Sequence, residues 1–167
     1  LSDQVNAQWY PQYISSEGYI GINKFTSNNI GWATSNNPSK VYKSTDGGMT
    51  WNYTGLGETN SIGRIAINPF NTNEVYVAAL GTLRKKNDQR GLFKSTDGGV
   101  TWNNIIYLGD SVGVVDVVID PNNPSKVFAA SWERLRREDF IKYGGPKTAL
   151  YVSTNSGATW SIVNGGF

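Results

Sequence analysis

Short apolar runs, each closed by polar and turn-forming residues, recur along the chain and predict strands. They fall into three groups of four: 20–25, 30–34, 41–44 and 51–54; then 62–68, 75–80, 92–95 and 102–107; then 114–120, 127–131, 149–153 and 160–163. The first strands of the second and third groups contain nearly continuous β-branched runs, Ile65-Ala66-Ile67 and Val115 to Ile119, as expected of strands buried on both faces. Asp116 interrupts the second run, and two roles stay open for it: a hydrogen-bonded acceptor or a functional carboxylate. Between the first and second strands lie 68–73 and 120–125, where Pro follows Asn or Asp amid further Asn, so Asp120 reads as a turn residue.

One eight-residue phrase joins the third and fourth strands of every group. It reads Ser44-Thr45-Asp46-Gly47-Gly48-Met49-Thr50-Trp51, then Ser95-Thr96-Asp97-Gly98-Gly99-Val100-Thr101-Trp102, then Ser153-Thr154-Asn155-Ser156-Gly157-Ala158-Thr159-Trp160. An Asp or Asn at the third position can accept hydrogen bonds from N–H groups two or more residues on, and Gly48, Gly99 and Gly157 can take a positive φ. The phrase is therefore a hairpin turn fixed by its own side chains, after which Trp51, Trp102 or Trp160 opens the next strand as an apolar wedge. Asp46 and Asp97 read as structural acceptors, since Asn155 keeps the acceptor oxygen but cannot serve as a general acid or base. Residues 2–9 keep Ser and Trp at the same separation and read as a decayed fourth copy, with 9–14 the outer strand of a preceding unit. The serines at 2, 44, 95 and 153 stand 42, 51 and 58 residues apart, around the ~40 to 50 residue period of propeller blades.

The phrase resembles the Asp-box, or BNR repeat, of sialidases, sortilin-type receptors, xyloglucan-degrading propeller glycosidases and a photosystem assembly factor. That resemblance implies an all-β fold, a segment of a β-propeller built from four-stranded antiparallel blades. It divides the chain into the last strand of a preceding blade (1–18) and three blades at 19–55, 56–107 and 108–167. Closed propellers have about four to eight blades, so the partners expected are the remaining blades of a larger propeller or other copies of the chain. The segments 62–69, 75–81 and 129–134 are further similar to bacterial sortilin-like repeat proteins, often labelled glycosyl hydrolases on the strength of the repeat.

Because neighbouring strands alternate in direction, the connections between second and third strands emerge opposite the Asp-box turns. Two of these connections are long, 81–90 and 132–146, and the blade-to-blade links 55–61 and 108–113 open on the same side. That loop face gathers Glu58, Arg84, Lys85, Lys86, Asp88, Arg90, Asp110, Trp132, Arg134, Arg136, Arg137 and Tyr143. Loops on a rigid scaffold are where binding residues concentrate, although the same set also reads as a solvated charged rim. Arg84, Arg90, Arg134 and Arg136 offer forked donors, and Trp132 and Tyr143 offer flat apolar faces, a combination suited to an acidic glycan or acidic protein segment. Glu133, Glu138 and Asp139 stand ready to pair with those arginines internally. Glycosidases flank the scissile bond with two carboxyls, and Glu58 with Asp110 is the only such pair to nominate. Sialidase motifs cannot be matched residue by residue.

Composition narrows the chemistry. The 167 residues include no Cys and no His, which excludes disulfides, thiol catalysis and Ser-His-Asp catalysis and removes the usual zinc ligands. No metal or other cofactor is expected. A net charge of +2 without a long basic run does not suggest nucleic acid, and no apolar stretch is long enough for a membrane span. The resemblance suggests a secreted, periplasmic or cell-surface address. Two functions follow: a non-catalytic module recognising a glycan or protein on its loop face, which the lack of a nameable catalytic set favours, or part of a secreted glycoside hydrolase.

Overall fold

The computed structural model describes residues 20–35 and 39–164. Their strands form three antiparallel sheets, each laid down in chain order. The first holds β1 (Ile20–Phe25), β2 (Gly31–Ser35), β3 (Val41–Ser44) and β4 (Asn52–Gly55). The second holds β5 (Ile62–Asn68), β6 (Asn71–Ala79), β7 (Gly91–Ser95) and β8 (Asn103–Ile106). The third runs β9 (Val112–Ile119), β10 (Val127–Arg136), β12 (Leu150–Ser153) and β13 (Ser161–Ile162), with β11 (Ile141–Tyr143) paired to the far end of β10. The chain is thus all-β, in the four-stranded blades that the repeat implies. The decayed copy at 2–9 and the strand at 9–14 fall outside the described residues.

Each Asp-box closes on itself. The Ser44 hydroxyl donates to Asp46 and accepts the Gly48 N–H at 2.8 Å, while Asp46 accepts the backbone N–H and hydroxyl of Thr50 at 2.9 and 2.5 Å. Ser95 and Asp97 repeat the pattern with Gly99 and Thr101, and Ser153 and Asn155 repeat it with Gly157 and Thr159, except that the Asn155 carboxamide N–H donates to the Thr159 hydroxyl at 2.8 Å. Gly48, Gly99 and Gly157 sit at φ 90°, 91° and 87°, so only glycine fits this turn without strain. The Thr50 hydroxyl and backbone N–H, with Ser44, hold the Asp46 carboxyl down at about 2, and the equivalent bonds from Thr101 and Ser95 depress Asp97 further. Carboxylates held this firmly as anions are acceptors and poor proton donors. Asp120 is likewise a turn residue, accepting the N–H groups of Asn122 and Asn123 at 2.9 and 3.1 Å.

The cores lie between blades. One cluster unites Trp32 and Val41 of the first blade with Ile65, Ile67, Val75, Val77 and Phe93 of the second. The other unites Ala66, Tyr76, Ala78 and Leu92 of the second blade with Val117, Val127, Ala129 and Tyr151 of the third. Strand alternation sends Ile65 and Ile67 backward and Ala66 forward, so the middle blade is apolar on both faces. Trp102 supplies the wedge: its ring meets Trp32 edge-on at 6.2 Å and its indole N–H donates to the Thr54 carbonyl oxygen at 2.8 Å. A lysine at the position before the Asp-box serine adds a polar tie across each joint. Lys43 donates to the Gly98 carbonyl oxygen at 3.0 Å and Lys94 to that of Ser156 at 2.7 Å.

Two sequence expectations need correction. The turn expected over 68–73 contracts to Pro69 and Phe70, because the Asn68 carboxamide accepts the Phe70 N–H and lets β6 begin at Asn71. The connection expected over 132–146 is not a loop. β10 continues through Trp132 to Arg136, turns, and pairs back as β11, with Arg134 opposite Tyr143 and Arg136 opposite Ile141. Alternation explains the extension: Glu133 and Leu135 turn inward while Trp132 and Arg134 stay half-exposed on the other side.

Candidate functional site

The loop face is a connected surface. Leu80 N–H donates to Ser61, Asn87 N–H to Asp110, and Arg136 N–H to Leu83, each through the partner's backbone oxygen at 2.8, 3.1 and 2.7 Å. The Asn87 carboxamide also donates to the Glu58 backbone oxygen at 3.4 Å, so the two blade-to-blade links flank the 81–90 segment. Glu58 and Asp110 are therefore brought to one region. Glu58 is exposed on a single 3-10 turn, whereas the Asp110 carboxylate lies 3.2 Å from the Lys86 ammonium.

Arg90 departs from the expectation that it recognises ligand. It is 1% exposed, and its guanidinium donates to Asn87 Oδ1 at 2.8 Å, Thr82 O at 2.7 Å and Lys85 O at 3.2 Å. It props the 81–90 segment from within. Gly81 leaves room for it, since a Cβ there would stand 2.5 Å from Arg90 Nε. Burial pulls the guanidinium down from the usual arginine range, and the Asp110 charge works against that pull.

The extended hairpin brings Trp132, Arg134 and Tyr143 together. Their rings face one another at 6.5 Å between centroids with 26° between planes, and the Arg134 guanidinium lies 4.6 Å from the Trp132 ring and 5.7 Å from that of Tyr143. Register is the cause: Trp132 and Arg134 share a strand face, and Tyr143 pairs across from Arg134. Arg134 Nε is buried without a hydrogen-bond partner, while Tyr143 is 61% exposed. The neighbouring acid is occupied elsewhere, as Glu133 takes the Lys142 ammonium at 2.6 Å and the Ser111 hydroxyl at 3.4 Å. Beside the platform, Arg84, Arg136, Arg137, Glu138, Asp139 and Ile141 line an open pocket of about 680 Å³. Arg137 lies 3.9 Å from Asp139, whereas Arg84 and Arg136 have no ion-pair partner among the described residues.

Asp116 resolves toward the structural role. Its carboxylate accepts from Arg64 at 2.8 and 3.4 Å, tying the innermost strands of the second and third blades. Sequence reasoning missed this arginine and the tying lysines, although Lys43 and Lys94 stand at the same place before two of the three Asp-box serines. Among the described residues no group of three or more Asp or Glu side chains could hold a metal ion, and no helix is long and apolar enough to cross a membrane.

The chain as a whole is similar to known proteins. The profile of the Sortilin-Vps10 family (sortilin, neurotensin receptor 3) matches residues 39–166. The chain is similar to a xyloglucanase of Hypocrea jecorina (strain QM6a), 31% identical over 172 residues covering 88% of this chain and 18% of that protein. It is also similar to a xyloglucanase of Acetivibrio thermocellus, 32% identical over 157 residues covering 77% of this chain and 16% of the relative. It thus spans less than a fifth of the length of these curated relatives. Among solved structures, an ancestral GH74 enzyme superposes with a TM-score of 0.67 at 24% identity, covering 93% of this chain and 19% of that one. YCF48 of Cyanidioschyzon merolae superposes with a TM-score of 0.58 at 18% identity, covering 90% and 38%. At such identities these likenesses speak for the propeller fold alone.

Proposed function

We propose, starting from the fact that the chain belongs to the Sortilin-Vps10 family, that it forms part of a larger, secreted Asp-box propeller hydrolase acting on a xyloglucan-type polysaccharide. The observation that carries this reading is the likeness to two xyloglucanases at 31% and 32% identity over most of the chain. It favours the hydrolase alternative over the non-catalytic module.

In this reading the loop face contributes a sugar subsite. Trp132 and Tyr143 offer flat apolar faces for pyranose rings, and Arg134, held between them, presents donors to ring hydroxyls. Glu58 and Asp110 remain nominated carboxyls. Asp110 lies 3.2 Å from the Lys86 ammonium and Glu58 is exposed, and the pair would share the acid and the base or nucleophile roles.

A second reading has its own observation: Arg84 and Arg136, without ion-pair partners among the described residues, flank an open pocket that suits an anionic glycan or protein segment. Affinity electrophoresis of the chain in gels containing xyloglucan, a polyuronate or neither separates the two. Retardation by xyloglucan that persists at high salt is the expected result. Retardation by the polyuronate alone, abolished by salt, selects the second reading. No retardation in either gel removes the subsite. Reducing-end release from xyloglucan, lost in Glu58→Gln or Asp110→Asn, would add catalysis to binding.

A further inference from the structure

The two nominated carboxyls stand on separate blade-to-blade links, and both links are fastened to one residue between them. Asn87 donates its backbone N–H to the Asp110 backbone oxygen at 3.1 Å and its carboxamide N–H to the Glu58 backbone oxygen at 3.4 Å. The adjacent Lys86 sets its ammonium 3.2 Å from the Asp110 carboxylate. One short run thus holds the backbone of both links and the side chain of one.

The orientation of the Asn87 carboxamide is dictated from inside. Its Oδ1 accepts the Arg90 Nε–H at 2.8 Å and the Thr82 N–H at 3.4 Å, two donors that only an oxygen can meet, so the amide N–H group must face Glu58. Arg90 is gripped in turn by the Thr82 and Lys85 carbonyl oxygens, and the Asn104 carboxamide on β8 donates to the Arg90 carbonyl oxygen at 3.0 Å. Gly81 completes the fit: its φ is 73°, and a Cβ there would stand 2.5 Å from Arg90 Nε and 2.6 Å from Asn87 Oδ1. The oxygens that receive the Arg90 guanidinium are all neutral. Burying a cation this way costs desolvation that an apolar prop would avoid, and what it supplies instead is a rigid fork of aimed donors. A prop for stability alone needs no such aim.

We propose that Asn87, oriented by the buried Arg90, is the positioning residue that fixes the separation of Glu58 and Asp110. The inference rests on the hydrolase reading, in which that pair carries the chemistry. Separation decides the outcome there, because carboxyls about 5 Å apart let one attack the sugar directly, whereas roughly 6.5 to 9.5 Å leaves room for a water.

Asn87→Asp isolates the role. It keeps an oxygen for Arg90 and the backbone N–H for Asp110, but sets a second oxygen against the Glu58 carbonyl oxygen where a donor stood. The melting temperature should hold, since the buried guanidinium gains an anionic partner, while the Glu58 link is released. The chain has no cysteine, so spin labels on Glu58→Cys and Asp110→Cys report the separation through dipolar broadening in frozen solution. The bonds from Asn87 go to backbone oxygens and survive both substitutions. The expected result is one narrow separation in the doubly labelled chain and a broad or displaced one once Asn87→Asp or Asn87→Ala is added, with the exposed neighbour Gln89→Ala as an unchanged control. Reducing-end release from xyloglucan by unlabelled Asn87→Asp should show kcat lowered on the order of a hundredfold with KM nearly unchanged. A separation indifferent to both Asn87 variants overturns the proposal, and so does an unaltered kcat in a protein whose separation has broadened. Absence of release from the wild-type chain removes the carboxyl assignment alone, and the dipolar spectra still decide whether Asn87 sets the spacing.

Discussion

Lys94→Met interrogates the joint between the second and third blades. The Lys94 ammonium lies 2.8 Å from Glu74 and donates to the Ser156 oxygen at 2.7 Å, and the two side chains are only 16% and 12% exposed. Methionine keeps the stem over Tyr76 but removes the charge. Glu74 then keeps the Tyr76 hydroxyl at 2.6 Å and the Asn68 carboxamide at 2.8 Å, with no cation. Breaking a buried pair from one side costs about 3 to 5 kcal/mol, and the two surviving donors put this case near the lower end, about 3 kcal/mol. For a chain of this size that is a fall in melting temperature of roughly 6 to 12 °C. Glu74→Gln in the same background removes the orphaned charge and should return most of the loss, giving a coupling of about 2 kcal/mol in a double-mutant cycle. The assay is thermal unfolding of the four proteins by circular dichroism. A Lys94→Met protein that melts within a degree of wild type, or strictly additive substitutions, would refute the reasoning that this tie stabilises the joint.

Acid should unfold the chain through its low carboxyls. Burial pushes Glu74 up, but bonds from Lys94, Tyr76 and Asn68 outweigh it and hold its carboxyl below the usual glutamate range. Asp46 falls from 3.8 to about 2. Both contribute stability that is complete above their unfolded values and is lost as pH falls through the folded ones. Asp46→Asn and Asp97→Asn, which copy Asn155, should therefore fold at neutral pH and show a shallower loss of stability between pH 4 and 2, read by unfolding at stepped pH. Gly99→Ala meets both a φ of 91° and a Trp32 ring atom 2.5 Å from the new Cβ, so a loss on the order of 2 to 3 kcal/mol in urea unfolding is expected. The double variant Arg134→Ala, Arg136→Ala should weaken xyloglucan binding severalfold with little change in melting temperature; unaltered affinity by calorimetry would move the site toward Arg84.

Much of the fold is legible because each blade carries its own punctuation. The Asp-box binds its own backbone, so Ser95, Asp97, Gly99 and Thr101 specify a turn whatever surrounds them. The site is less legible because it depends on what lies across a strand or beyond a turn. The charged run after Trp132 has the composition of a loop, yet its alternation of Trp132, Arg134 and Arg136 with Glu133 and Leu135 is the period of a half-buried strand. Arg90 belongs to a residue type rarely buried, and its inward turn depends on carbonyl oxygens of Thr82 and Lys85 that no local pattern announces.

The account turns on whether the Trp132 platform binds a neutral β-glucan chain. Calorimetric titration of the chain with xyloglucan oligosaccharides, beside Trp132→Ala with Tyr143→Phe as a control that keeps the ring, measures this directly. Stacking on one aromatic face at this site is expected to contribute about 1 to 2 kcal/mol, so Trp132→Ala should weaken binding roughly five- to thirtyfold while Tyr143→Phe stays near wild type. Equal affinities for wild type and Trp132→Ala, or no heat from wild type in the presence of a folded chain, would contradict it.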